Sequence, residues 1–242
     1  MGIDYNDIKI DGKSRFSPSG FSSFYENPQS WYKSNILKTG TFRGNTATVV
    51  GSILHKRIEN YWNDTPTNKD EEFDYIDSHK DNADVDEWKV ADDVERLWNM
   101  LQVEIPALDR PTNMEEAVIF EIPNTDYFIG GTYDYRRGDI LGDIKTTATT
   151  PKKIKVGHRI QLLLYALALK MSGTEVSYIE ITYIVKLKKT PRVIVFKEPI
   201  SEQDIEWIKQ EVKNMIKRCD MVKADNELTD IIFPNNPDSY IN

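Results

Sequence analysis

Cysteine is nearly absent from these 242 residues, with Cys219 the single one. One thiol cannot build a disulfide framework, a four-cysteine zinc site or a cysteine-ligated iron–sulfur cluster within the chain. Long apolar runs are missing too. None approaches the roughly 20 residues that a bilayer-spanning helix needs, so no membrane association is expected. The opening MGIDYNDIKIDGK is polar and acidic, unlike a secretory signal. A cytoplasmic location is therefore expected. Internal repeats and low-complexity linkers are lacking as well.

What is present is a 39% hydrophobic chain, enough for one packed domain over residues 1–242. The net charge of −8 would argue against a polyanionic ligand if it were evenly spread. It is not. Residues 64–95 hold 13 Asp and Glu against three lysines, a net of −10, so the rest of the chain sums to +2. Acidity belongs to one segment, and a local basic track stays open elsewhere.

Periodicity divides the chain. Residues 1–45 form a helical and aromatic N-terminal region, in which Ser17 or Ser19 can cap a short helix carrying Phe21, Phe24 and Tyr25. TATVVGSILHKRIENYW (46–62) has the apolar spacing of an amphipathic helix. Residues 63–103 read as an acidic insertion, irregular to about residue 87, and then a helix over 87–101. Residues 104–200 carry strand signals at 116–122, 126–136 and 139–146, an almost wholly apolar helix at 158–171, and further strands at 176–187 and 191–198. A C-terminal helix begins after Ser201 and a tail completes 201–242. The order predicts a mixed α/β domain with an antiparallel meander.

The chemistry-bearing residues cluster in GGTYDYRRGDILGDIKTT (130–147). If its two halves pair, Asp134 and Asp143 converge at one end of the sheet. Asp143 and Lys145, two apart, share a face, and Ile144 points into the core. Two carboxylates suit a hard cation such as Mg²⁺ or Mn²⁺. The same residues also suit a solvated hairpin bearing a salt bridge. His55 and Glu59 are four apart on one helix, as a ligand pair or an exposed ion pair. Gln161 and Tyr165, four apart on an apolar helix, need polar partners inside the fold.

Taken in order, GSILHKRIE (51–59), GGTYDY, GDIKTT and QLLLYALAL (161–169) resemble the RecB-type branch of the PD-(D/E)XK nuclease superfamily. FSPSGFSSFYENP (16–28) is similar to that branch's opening motif. The resemblance covers roughly residues 16–200. It implies an α/β (α+β) fold with a restriction-endonuclease-like core, a central mixed β-sheet flanked by helices. It implies Mg²⁺- or Mn²⁺-dependent hydrolysis of DNA phosphodiesters. In that reading His55, Asp134, Asp143 and the backbone carbonyl of Ile144 hold the metal. Lys145 orients and activates water, Gln161 and Tyr165 support the site, and Glu59 stands behind it. Glu115 or Glu116 adds an outer carboxylate. In iron–sulfur members of the branch a Cys-Pro near the start and three cysteines near the end hold a cluster. Here Asn27–Pro28 and FPNNPDSYIN (233–242) stand there without cysteine, so no iron–sulfur cluster is expected.

DNA is the expected partner, with a helicase or single-strand annealing protein as a possible companion. Lys152, Lys153, Lys155 and Arg159, with His158 among them, lie between two site motifs and are candidates for phosphate contacts. Lys186, Lys188, Lys189 and Arg192 form a second basic group. Phe24, Tyr25, Trp31 and Tyr32 suit base stacking or a core. Resemblance to RecB-like and phage recombination nucleases favours an exonuclease. A structure-specific or restriction-like endonuclease and a catalytically silent binding module are the alternatives.

Overall fold

The computed structural model describes residues 8–25, 27–39, 44–187, 189 and 191–234. In chain order the elements are β1 (Ser14–Phe16), α1 (Pro18–Ser23), α2 (Pro28–Asn35), α3 (Thr46–Trp62), α4 (Lys69–Asp77), α5 (Glu87–Glu104), β2 (Asn113–Glu121), β3 (Tyr127–Arg137), β4 (Ile140–Thr147), α6 (Val156–Met171), β5 (Tyr178–Val185), β6 (Arg192–Pro199), α7 (Glu202–Ala224) and α8 (Thr229–Ile232), with short 3₁₀ turns after α5 and α7. The expected mixed α/β domain and its meander are present.

The central strand is β3. It pairs antiparallel with β2 along nearly its whole length. Its other edge is shared. β1 runs parallel to residues 127–129, and β4 pairs antiparallel with residues 135–137 only. Between them, residues 130–134 have no strand neighbour on that side among the described residues. β4 continues into a parallel pairing with β5, and β5 pairs antiparallel with β6.

Two cores cover the sheet. On one face α1, α2, α6 and α7 pack with Phe16, Tyr133, Ile179, Ile181 and Tyr183. On the other, α3 and α5 pack with Tyr135, Ile144 and Ile184. Tyr133 and Tyr135 therefore serve opposite faces although two-residue spacing should give them the same one. The strand turns over at Asp134. Directly opposite, Glu115 has φ +49°, in the left-handed region that β strands avoid. The Glu115–Asp134 pair is the step the β2–β3 register omits.

Helix starts follow the capping rules. Ser17 accepts from Gly20 N–H at α1, Asn45 from Thr48 N–H at α3, and Ser201 forms a reciprocal capping box with Asp204 at α7. One expectation fails and one alternative is decided. The segment after residue 63 contains a regular helix, α4, capped by Asn68 although none of its residues is buried. It is held by charge: the buried Arg57 guanidinium donates to Glu72 at 2.6 and 2.7 Å and to Glu95 of α5 at 2.6 Å. The aromatics Phe24, Trp31 and Tyr32 are buried core residues and Tyr25 packs against them, so these rings are not free to stack on bases. Tyr32 stacks on Phe233 with centroids 4.4 Å apart.

The Tyr135 ring lies across Gly142 and its hydroxyl donates to Glu180 at 2.9 Å. A Cβ on Gly142 would stand 2.0 Å from that ring. Gly142→Ala should therefore destabilise the protein by about 1–3 kcal/mol, the usual cost of overpacking, as measured by urea unfolding. A variant with wild-type stability would show that the ring is not fixed there.

Candidate active site

The site occupies the fork where β3 and β4 part. Past Gly142 the β3-facing edge of β4 is open, and the Ile144 N–H would lack a partner there. The Asp134 carboxylate accepts it at 2.6 Å (Oδ2). The same oxygen stands 3.4 Å from His55 Nδ1, and the His55 ring also hydrogen-bonds the backbone of Ile144. On β3 the Thr132 carbonyl accepts from the Tyr165 hydroxyl at 2.6 Å. Gly131 leaves room for this approach, since a Cβ there would lie 2.8 Å from that hydroxyl.

Asp143 is 1% exposed. Its Oδ1 accepts from Lys145 Nζ and from Gln161 Nε2, each at 2.8 Å. Its Oδ2 is buried with no hydrogen-bond partner. A carboxylate oxygen in that condition is costly unless a cation or water faces it. Ile144 is buried on the opposite face, as its place between two site residues requires. Thus His55, Asp134, Asp143, Lys145, Gln161 and Tyr165, spread over more than 100 residues of sequence, meet at one fork.

The electrostatics describe a site short of positive charge. Burial raises the Asp143 carboxyl to about 6 against the pull of Lys145, with Asp134 adding to the rise. Burial also raises Asp134. Burial would lower the Lys145 ammonium, but Asp143 and Asp134 outweigh it and hold it above its ordinary value. Burial, then the Lys145 charge, lowers His55 to about 4, leaving a neutral imidazole with a lone pair to give. Glu115 is raised to about 8 by burial and then by Asp134 and Glu59. Among the described residues no group of three or more His, Cys, Asp or Glu side chains stands arranged as a ready-made metal cage. Lys145 fills part of that need by closing on Asp143.

The other expected residues divide. Of the two glutamates, Glu115 faces the acidic cluster, while Glu116 accepts from the Tyr133 hydroxyl and from Asn113 at 2.7 Å. Glu59 pairs with Lys56 at 2.8 Å rather than with His55. Lys152, Lys153 and Lys155 are exposed on the loop before α6. Arg159 is not free in the way they are, because it bonds Glu198 at 3.2 Å and Asp204 at 2.9 Å. In the second basic group Arg192 donates to Thr150 at 2.9 Å, Lys186 is half-buried, and Lys188 lies outside the described residues. Sequence reasoning gave no role to Tyr183, whose hydroxyl meets His158 Nδ1 at 2.9 Å beside Lys145. The three-residue step from His158 to Gln161 on one helix was the available signal.

The sequence profile of the PD-(D/E)XK nuclease superfamily matches residues 15–234, nearly the whole chain and every element of this fork. The chain belongs to the PD-(D/E)XK nuclease superfamily. No curated protein matches it significantly. Among solved structures, a candidate exonuclease from Eubacterium rectale superposes on this PD-(D/E)XK chain with a TM-score of 0.61 at 13% identity, over 99% of this chain and 90% of that one. A second, SSO0001, gives a TM-score of 0.40 at 14% identity, over 84% and 77%. At such identity the first likeness speaks to the fold, a mixed sheet flanked by helices. Among the described residues no helix is long and apolar enough to cross a membrane.

Glu115 binds its proton more tightly folded than unfolded, where a glutamate titrates near its ordinary value of about 4.3. Stability linked to it is therefore present at low pH and lost as pH rises through about 8. In EDTA, the melting temperature of the wild type should fall between about pH 5 and pH 9 more steeply than that of Glu115→Gln. Parallel pH profiles would remove Glu115 from the cluster.

Proposed function

We propose that this protein is a Mg²⁺- or Mn²⁺-dependent deoxyribonuclease that hydrolyses phosphodiester bonds, acting as an exonuclease on linear DNA ends. The observation that carries the reading is the Asp143 carboxylate, buried with one oxygen unpartnered, beside Asp134 and a neutral His55. That donor set fits a hard divalent cation with one imidazole ligand. His55, Asp134, Asp143 and the Ile144 carbonyl would hold the ion. The chemistry such an ion supplies is a lower pKa for bound water and neutralisation of charge on the phosphate.

The protein's own residues do the rest. Gln161 fixes the rotamer of Asp143 through Oδ1, which leaves Oδ2 aimed into the site. Tyr165 holds the β3 backbone two residues before Asp134. Lys145, kept as an ammonium by its two carboxylates, orients the attacking water and donates to developing negative charge. Glu115, with Glu59 behind it, adds a carboxyl that can ionise as positive charge arrives. Lys152, Lys153 and Lys155 would neutralise phosphates leading away from the fork, and Arg159 acts by tying α6 to β6 and α7. The exonuclease preference draws on the E. rectale protein, described as a candidate exonuclease, and on the RecB-like motif order.

End-labelled linear DNA and closed circular DNA, incubated with Mg²⁺, Mn²⁺ or EDTA, separate the readings. Loss of linear DNA alone is expected. Nicking of circles would make the protein an endonuclease, and binding without cleavage a silent module. Asp143→Ala and Lys145→Ala should each lower kcat by about 10²–10³ or more with the fold retained. Mn²⁺ at about 100 times its Kd should stabilise the wild type by about 2.7 kcal/mol and leave Asp143→Ala unmoved. Equal stabilisation of both would displace the ion from the fork.

A further inference from the structure

Apart from Arg159 and Lys170, the polar side chains of α6 form one stripe: His158, Gln161 and Tyr165, at i, i+3 and i+7. Gln161 and Tyr165 are committed to the fork. His158, one turn nearer the helix start, stands level with Lys145, because Lys145 pairs with Tyr183 in the β4–β5 ladder and the Tyr183 hydroxyl meets His158 Nδ1 at 2.9 Å.

The Tyr183 hydroxyl accepts the Lys155 backbone N–H at 3.0 Å and has one proton of its own to donate. Among the described residues the partner available to that proton is His158 Nδ1, at 2.9 Å. The arrangement that uses the phenol proton makes Nδ1 the acceptor and leaves the ring proton on Nε2. Burial, then the charges of Lys145 and Lys155, lowers the ring to about 4, so it stays neutral. Nε2 makes no hydrogen bond among the described residues and is not a sealed atom, since the ring is half-exposed. The ring is close enough to Lys145 and to Lys155, at the end of the basic loop before α6, to feel both charges.

We propose that His158, its ring fixed by Tyr183, presents Nε2–H to a DNA phosphate beside the scissile one and is a substrate-binding residue of this site. The inference rests on the nuclease reading above. A neutral, directional donor suits this position because a further cation would compete with Lys145 for the same carboxylates. It also gives the polar stripe one logic: Tyr165 holds backbone, Gln161 holds the acidic ligand, and His158 holds substrate.

The test compares wild type, His158→Ala, His158→Gln and Tyr183→Phe on a short fluorescent linear duplex. KM and kcat are read with Mg²⁺ or Mn²⁺, Kd by anisotropy with Ca²⁺, and melting temperature as a check on folding. His158→Ala should raise KM and Kd about tenfold, equivalent to about 1.4 kcal/mol, with kcat within about twofold, as for an interaction equal in ground and transition states. His158→Gln, which can still place an N–H there, should recover most of the loss. Tyr183→Phe should fall between them. Unchanged KM and Kd in His158→Ala would overturn the proposal, as would a glutamine variant no better than alanine. Wild type that binds but does not cleave would sink the nuclease reading, while the Kd series would still decide His158. Wild type that neither binds nor cleaves would sink both.

Discussion

The hydrogen bond from the Ile144 N–H to the Asp134 carboxylate, 2.6 Å long, is the constraint on which the site depends. An antiparallel ladder that stops at Tyr135–Gly142 leaves unpaired backbone groups on both departing strands. Buried backbone groups without partners are costly, so a fork inside a sheet needs polar side chains. Asp134 meets that need on β4 and Tyr165 meets it on β3. The residues that keep the fork open are thus those the proposed chemistry uses. The turned-over alternation between Tyr133 and Tyr135, with Glu115 in a left-handed conformation opposite, is the backbone's share of that arrangement. Strain of this kind persists where the surroundings over-determine it.

The fork also sets the electrostatics. Asp134, Asp143 and Glu115 gather at the fork, where burial pushes each carboxyl up. Lys145 offsets one charge at most. Such a cluster is poorly arranged for stability and well arranged to receive a cation, the usual tension between a binding site and the fold that holds it. Elsewhere charge is sorted rather than balanced. The excess acidity sits in the α4–α5 segment, where Glu72 and Glu95 are paired with Arg57 and Lys69. The lysines before α6 remain exposed.

Much of this was legible in the sequence because burial leaves a period. Helix α3, strands β3 and β4 and helix α6 each have a face that must be apolar, and their polar interruptions, His55, Asp134, Asp143, Gln161 and Tyr165, are the residues the fork assembles. Helix α4 left little period because none of its residues is fully buried, and Ile76 alone among its apolar side chains packs against the second core. Its anchor is the distant Arg57 guanidinium, and no spacing rule detects a salt bridge across 15 residues. Glu115 and Glu116 could not be told apart, since adjacent residues exchange faces with a one-residue slip. The left-handed φ of Glu115 and the Tyr133–Glu116 bond separate them. Arg159 looked like its lysine neighbours until Glu198 and Asp204, 39 and 45 residues later, came into contact with it.

The aromatic N-terminal region shows why composition alone misleads there. Rings that could stack on bases have the same composition as rings that stack on each other. What decides is Phe233, about 200 residues away, which stacks on Tyr32 and meets Phe24 edge-on at 6.2 Å. This contact ties the chain after α7 back to α1 and α2, across the region where the RecB-type motifs of iron–sulfur relatives place cysteines. Asn27, at the first such position, accepts the Ser30 N–H at 2.9 Å and caps α2, with Pro28 at the first helical position. Residue 27 thus has structural work of its own as a helix cap, and a cysteine placed there would remove that cap. The N-terminal layer rests on aromatic packing against α6, and through α6 it holds Gln161 and Tyr165 at the fork.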